Sequence, residues 1–463
     1  MKRSPSFHLA LGSLVVIAAY ILGVMSHSPK KTVAPTVVLT PAPAPTITTQ
    51  LVIDSDLIIK FKDNAEPAGI KSLLNRLNAA VFNYDSLPGF SFQRVRSAMS
   101  LQELIDLYKS DPNVEYVEPN YLFHADETRP NDPFFKQMWG HSNTGQEIAG
   151  GPGGEPGADI DALTAWDVTT GSNNIVVAVI DSGIDYTHPD LKANMWINRD
   201  EVPGDGVDND DNGVVDDIHG YNAVNNNGDP LDDADHGTHC AGIIGAVGDN
   251  GIGIAGINWK VKLMALKFLS VSGGGRLNDV IECINYVIKM KKRGVNVRIM
   301  SNSWGGGSYS RALEDAIKAA NNAGILFVAA AGNDSQDTDH FPHYPSSYQI
   351  ENVISVAALD RNDNLARFSN FGAESVHLGA PGVEIYSTVR NSSYRFMSGT
   401  SMATPYAAGV AALVLAREPR LSVKDLKKRL IESTTEVAAL KGKTISGGRL
   451  NAARALKAGK MLP

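Results

Sequence analysis

Cysteine is almost missing from this chain: Cys240 and Cys283 are the only two in 463 residues. Two thiols cannot build a disulfide framework, and neither has a partner at metal-binding spacing. Each sits in an apolar-periodic run, which predicts two buried free thiols rather than one bridge. Positive charge is also in deficit, with 42 Lys and Arg against 50 Asp and Glu and a formal net charge of -8. No long basic arm is present, so the footprint of a nucleic-acid partner is lacking. The densest basic run, KMKKR from Lys289 to Arg293, closes an apolar-periodic segment before Gly294 and reads as a solvated helix C-terminus.

What is present begins with an address. Lys2 and Arg3 precede an uncharged apolar run from Leu9 to Met25, which predicts export: secreted, periplasmic or tethered to the cell envelope. At about 17 residues the run is near the lower limit for spanning a bilayer, so residues 1–27 are either a cleaved signal or a retained membrane anchor. Residues 28–50 are rich in Pro, Thr and Ala without periodicity, an extended tether. Residues 51–127 then read as a small α+β unit: LIIKFK as a strand, AGIKSLLNRLNA as a helix, and MSLQELIDLYKSDPNV as a second helix with Ser100 and Glu103 at capping-box spacing. Two prolines in ETRPNDPFF break regular structure at the boundary.

Residues 128–463 alternate short apolar runs with amphipathic ones. IVVAVID, VKLMALKFL, VRIMSNSW, ILFVAAAGN and VISVAAL are continuously hydrophobic, the mark of strands buried on both faces. Helical stretches at 279–292 and 311–323 separate them. The fold class is therefore α/β, a mostly parallel sheet with helices on both faces, preceded by the α+β unit. Ligands of such sheets bind beyond the carboxyl ends of the strands, where Asp181, Asn302, Ser303 and Asn333 fall.

Alone, Asp181 would be a turn residue, His236 a structural histidine and Ser401 a helix N-cap. Together a carboxylate, an imidazole and a helix-starting hydroxyl can form an oriented base and an activated nucleophile. The stretches VIDSGID, HGTHCAGI and SGTSMATP resemble, in that order, the three active-site signatures of the subtilisin-like serine proteases. The resemblance spans about residues 131–456 and implies an endopeptidase acting through an acyl-enzyme. By the same resemblance Asp181 orients the imidazole, His236 is general base and then acid, and Ser401 is the nucleophile, while Ser398 and His239 stand outside the triad. Asn333 resembles the family's oxyanion asparagine. Ser303, Trp304 and Gly305 in NSWGG resemble the segment that pairs with substrate backbone as an added strand. VEYVEPNYLFHAD resembles the end of an inhibitory prodomain, which makes the protein's own residues 51–127 its intramolecular inhibitor and implies autocatalytic removal; its other partners are protein or peptide substrates. Tyr406 departs from the histidine common after the motif proline, an exchange expected to alter helix packing. His343 is expected near the bottom of the specificity pocket. The competing class is a binding or surface module on an inactive protease fold, against which the joint presence of Asp181, His236, Asn333 and Ser401 argues.

DGVDNDDNGVVDD carries a second signal. Asp208, Asp210 and Asn212 offer oxygens at alternate positions, Gly213 allows a sharp turn, Val214 can give a carbonyl and Asp217 or Asp216 can close the ring. This matches the first half of a calcium loop without its distal glutamate, and predicts structural calcium. Asp190 and Asn250 resemble another calcium site of the family. The glycine spacing of GIGIAG, by contrast, follows a helix and precedes a strand, the reverse of a dinucleotide-binding loop.

Overall fold

The computed structural model describes residues 52–457, apart from residues 63, 67, 69–71, 73–79, 84–91, 97–100 and 122–126. The expected export segment and tether, most of the first prodomain helix, and Ser100 therefore lie outside the described residues. The chain divides into two compact units, Met1–His124 and Ala125–Pro463.

In the first unit, strands β1 (Val52–Phe61), β2 (Ala80–Asn83), β3 (Phe92–Arg96) and β4 (Val114–Tyr121) form an antiparallel sheet in the order β2-β3-β1-β4. Helix α1 (Leu101–Lys109) presents Leu104, Ile105 and Tyr108 to Leu57, Ile59, Phe61, Val114 and Val117. The helix is shorter than the expected stretch, and VEYVEPNY is a full strand pairing with β1.

The second unit is built on a nine-stranded sheet. Its strands are β5 (Gly171–Asp181), β6 (Gly220–Asn222), β7 (Lys260–Lys267), β8 (Val297–Asn302), β9 (Leu326–Ala330), β10 (Val353–Leu359), β11 (Leu378–Pro381), β14 (Thr435–Glu436) and β15 (Gly448–Arg449). The order is β14-β15-β11-β10-β9-β8-β5-β7-β6, parallel throughout except for the β14–β15 pair. Strands β12 (Ile385–Val389) and β13 (Ser393–Met397) make a separate hairpin.

The apolar runs are continuous because both faces of the sheet are covered. On one face lie α3 (His236–Gly245) and α6 (Thr400–Arg417), packed against Val177, Val179, Ile299, Val328 and Val356. The other face carries α4 (Leu277–Lys292) and α5 (Arg311–Asn322), against Ala178, Ile180, Met300 and Phe327. Helix α6 is buried from Met402 to Leu415, so its alanines and glycine let it lie close to the strands. Three further helices, α2 (Ala162–Trp166), α7 (Val423–Glu432) and α8 (Ala452–Lys457), add Trp166, Leu426 and Leu456 to the core that α6 fills.

Both cysteines are free and buried, as expected. The basic run is not merely solvated. Lys289 Nζ donates to Asn212 O, Lys291 Nζ to Val297 O at 2.6 Å, and Arg293 lies 3.5 Å from Asp210. The C-terminus of α4 is thus folded onto the acidic loop, which supplies the counter-charge that sequence periodicity does not reveal.

Candidate active site

Parallel strands deliver their carboxyl ends to one edge, and the polar residues expected there meet in a cleft of about 920 Å³ lined by Ser182, His236, Ser303, Asn333 and Ser401 among others. Asp181 is the last residue of β5 and His236 the first of α3. Gly237 permits this approach, since a Cβ there would lie 2.1 Å from Gly183 O and 3.1 Å from Asp181 Cβ. The first turn of α3 is held by two residues the sequence did not single out. Gly237 N donates to Ser182 Oγ at 2.9 Å, and Thr238 N donates to Asp232 at 3.0 Å, so two otherwise unpaired helix N–H groups are satisfied. Buried Lys267 adds a third tie, donating to Ser182 O at 2.8 Å and to Asp233 at 2.7 Å.

His236 Nδ1 donates to Asp181 Oδ1 at 2.8 Å, and Ser182 N donates to the same oxygen at 2.7 Å. The Asp181 side chain is 1% exposed and that of His236 31%, so the carboxylate is sealed while the imidazole faces the cleft. Burial lowers the His236 pKa, but the charge and hydrogen bond of Asp181 outweigh it and hold the imidazole above its ordinary value. With Nδ1 carrying a proton toward Asp181, Nε2 is left as the acceptor.

Ser401 occupies the first turn of α6. Its hydroxyl donates to Ser303 O at 3.1 Å, and Ser303 Oγ returns a bond to Ser401 O at 2.8 Å. Ser398 is elsewhere, accepting from Glu384 N at 2.9 Å beside the hairpin. Beneath Ser401, fully buried Cys240 lies with Sγ 3.5 Å from Ser401 O; burial, reinforced by the charge of Asp181, raises its pKa well above the ordinary thiol value.

Asn333 is oriented by Thr400, whose N and Oγ1 both donate to Asn333 Oδ1 at 2.9 Å. The amide nitrogen is therefore turned away from Thr400, and an added Cβ at Gly399 would find Asn333 Nδ2 at 3.7 Å and Ser401 N at 3.6 Å. Two donors thus flank one point. Asn302, by contrast, is a core residue, spanning β8 and β9 through bonds to Met300 O and Val328 O. Strand β8 ends at Asn302, and the Ser303, Trp304 and Gly305 that follow it line the cleft.

A model of the subtilase family matches residues 172–449, and a model of the fervidolysin N-terminal prodomain matches residues 43–120. The chain belongs to the subtilase family. The thermophilic serine proteinase of Bacillus sp. (strain AK1) is 34% identical over 405 residues, covering 87% of this chain and 88% of that protein. Thermitase of Thermoactinomyces vulgaris is 35% identical over 71% of this chain and 99% of its own. Among solved structures, a protease from Pseudoalteromonas arctica aligns with a TM-score of 0.56 at 29% identity, covering 71% of this chain and 99% of that one. This subtilase is accordingly a serine endopeptidase with an N-terminal prodomain.

His239 is structural in this subtilase, its Nε2 lying 3.0 Å from Ile385 O and from Arg395 O. Tyr406 points its hydroxyl at His141 Nδ1, 3.2 Å away, deep in the core. The acidic loop brings Asp208 and Asp210 together with Glu201, their carboxylates within 4.8 Å of one another. Glu201 precedes the loop, so a search for a distal glutamate misses it. Asn212 and Asp217 face inward instead, where Asp217 accepts from Asn198 at 2.8 Å, from Asn212 at 2.7 Å and from Tyr286. Val214 N donates to Asn212 Oδ1 at 2.9 Å. At the other expected site, Asp190 accepts from Asn250 Nδ2 at 2.8 Å and Ile254 N at 2.9 Å. Burial pushes the Asp190 carboxyl up to about 6, the neighbouring Asp132 adding to the effect. Asp132 Oδ1 is buried without a hydrogen-bond partner among the described residues, which adds Asp132 to the acidic groups gathered there.

Proposed function

We propose that this endopeptidase is an exported zymogen that cleaves peptide bonds with Ser401 as nucleophile, His236 as base and Asp181 as its orienting carboxylate. The observation that carries the reading is the buried Asp181–His236 bond at 2.8 Å opening onto the cleft that Ser401 and Asn333 share. His236 Nε2 takes the Ser401 proton as Oγ attacks the scissile carbonyl carbon. The resulting oxyanion lies between Ser401 N and Asn333 Nδ2. Collapse of this adduct passes the proton from His236 to the leaving amine, and water then repeats the sequence on the acyl-enzyme. Ser303, Trp304 and Gly305 hold the substrate backbone as an added strand. Residues 51–127 act as the intramolecular inhibitor and are removed by the catalytic unit, residues 128–463, itself. Residues 1–27 direct export.

Calcium belongs to the same reading. Glu201, Asp208 and Asp210 form an all-oxygen donor set suited to a hard cation, with Asn212, Val214 and Asp217 shaping the loop beneath. Asp190, Asn250 and Asp132 form the second set, where an added positive charge would relieve two neighbouring carboxylates. Calcium there is structural and tightens loops; it takes no part in the acyl transfer.

Labelling of the full chain with a fluorophosphonate tests the assignment. Label should attach at Ser401. Ser401→Ala should leave an unlabelled, unprocessed precursor, whereas Ser398→Ala should mature. Self-processing of the Ser401→Ala chain would overturn the reading.

A further inference from the structure

A second cavity, which the acyl transfer leaves unused, lies beside the catalytic cleft. It holds about 540 Å³ and is walled by Tyr186, Pro203, Val215, Ile218, His219 and Asp229 among others. Its place follows from two segments that run side by side out of the cleft. Ser182 and Ala234 line the cleft, whereas Tyr186 and Asp229, on the same two segments, line the cavity. Between them Ile184 N donates to Pro230 O at 3.1 Å, which ties the segments together. Tyr186 follows Ser182 by four residues. Four residues of fully extended chain reach at most about 15 Å, so one substrate strand can cover both places.

The cavity offers acceptors and a ring face. The Tyr186 and His219 rings stack at 4.4 Å with 27° between their planes. Burial lowers the His219 pKa, with the bond to Trp196 O and the charge of Asp229 opposing it, so the ring is neutral near pH 7. Its Nδ1 lies 3.2 Å from Trp196 O and carries the hydrogen there, which leaves Nε2 with a lone pair. Asp216 spends both carboxylate oxygens on backbone, accepting from Gly204 N at 2.7 Å and Gly206 N at 3.2 Å. Asp229 does not. Its Oδ1 accepts from the Tyr186 hydroxyl at 3.0 Å and from Leu231 N at 3.2 Å, while Oδ2 accepts from none of the described residues. No lysine or arginine among the described residues lines the cavity to balance that charge. The wall that carries Asp229 is also fixed in place: a Cβ at Gly228 would lie 2.4 Å from Val215 O and Asp216 O.

We propose that this cavity is an exosite for an arginine side chain of the protein being cleaved, set apart from the scissile bond. A guanidinium is planar, stacks on aromatic faces and carries five N–H donors, so it matches a slot with a ring pair on one wall and an unspent carboxylate oxygen on another. The aliphatic stem of arginine covers Val215, which is 44% exposed without it. Lysine supplies the charge without the plane, and glutamine the N–H groups without the charge. The inference rests on Ser401 and His236 marking where the substrate is cut.

The test uses the matured protein with Ser401 blocked by a fluorophosphonate, and a fluorescent peptide carrying one arginine beside its lysine and glutamine versions. Anisotropy should give the arginine peptide a Kd roughly tenfold below that of the glutamine peptide, the ratio carried by one charge-assisted hydrogen bond, with lysine between them. Asp229→Asn should raise the arginine Kd to the glutamine value, and Tyr186→Leu should raise it toward the lysine value. Both variants should cleave a short arginine-free peptide like the parent protein. On unblocked protein, a series of longer substrates moves the arginine one position at a time away from the scissile bond. At the position that reaches the cavity KM should fall relative to glutamine with kcat unchanged, and Asp229→Asn should erase the difference. The inference is overturned if arginine and glutamine peptides bind alike, or if the arginine preference survives in both variants. Should one variant fail to cleave the short peptide, the other decides; should both fail, the Kd ratio of the parent protein decides. Failure of Ser401 to label would fell the nucleophile assignment and this inference with it; labelled protein that treats arginine and glutamine alike fells only the inference.

Discussion

Thr400 holds Asn333 by its oxygen: the N–H and the hydroxyl of Thr400 both donate to Asn333 Oδ1 at 2.9 Å. A side-chain amide pinned at one end can present only its NH₂ at the other, so the proposed oxyanion donor is oriented before substrate arrives. Asn333→Ala should lower kcat with little change in KM. For one such donor in subtilisin itself the loss is roughly 100- to 1000-fold, and a loss of that order is expected here. Thr400→Val should lower kcat by a smaller factor, since the backbone donor stays. Steady-state kinetics on one peptide decide both; an unchanged kcat in Asn333→Ala would place the donor elsewhere.

The acidic loop leads to a stability prediction. A cation bound only by the folded state adds RT ln(1 + [L]/Kd), about 2.7 kcal/mol at a hundredfold excess over Kd. Chelation should therefore lower Tm, and Asp208→Asn with Asp210→Asn should remove most of the chelator-sensitive shift. Glu201→Gln should do so in part, although it lies outside the loop. If both variants melt like the parent with and without chelator, the cation is held around Asp190 instead.

Asp181 stabilises the protonated form of His236, and the proposed base must be neutral to work. The acid limb of kcat/KM is expected above the ordinary histidine value of about 6.5, with activity rising as pH increases through it. Asp181→Asn should move that limb to lower pH while reducing the rate. A limb that stays in place would show that another group controls it.

His377 gives a pH dependence that is independent of catalysis. Buried, and accepting from Ser355 N at 3.0 Å, it has a pKa held down to about 3. A base with a depressed folded pKa binds fewer protons than the unfolded chain between about pH 3 and 6.5, so stability is lost as pH falls below 6.5. Two units of that window correspond to about 2.7 kcal/mol. Relative to His377→Asn, which keeps an acceptor and cannot titrate, the parent should lose roughly that much between pH 6.5 and 4.5 in denaturant melts. Parallel curves would mean that the histidine is protonated without cost.

The sequence was informative where one physical demand dominates. Strands buried on both faces must be continuously apolar, so β5, β7, β8, β9 and β10 are legible as runs, and Asp181 at the end of β5, with Ser303 and Asn333 just beyond β8 and β9, falls on one edge. The short strands β11 and β15 carry too few residues for any pattern. Residues that act through tertiary bonds were equally hidden. Thr400, Ser182, Asp232 and Lys267 look like ordinary polar residues until the fold brings them to Asn333 and to the start of α3. Glu201 was missed because the spacing rule looks forward along the chain, while the fold supplies the carboxylate from behind. Local spacing found the ends of elements; only packing shows what holds them.

Cys240 makes the site readable in another way. Its thiol is sealed under Ser401 and kept neutral, so it meets a reagent in solution only when the fold opens locally around it. The rate at which a small disulfide reagent modifies Cys240 is then a clock for the transient breathing of the catalytic floor.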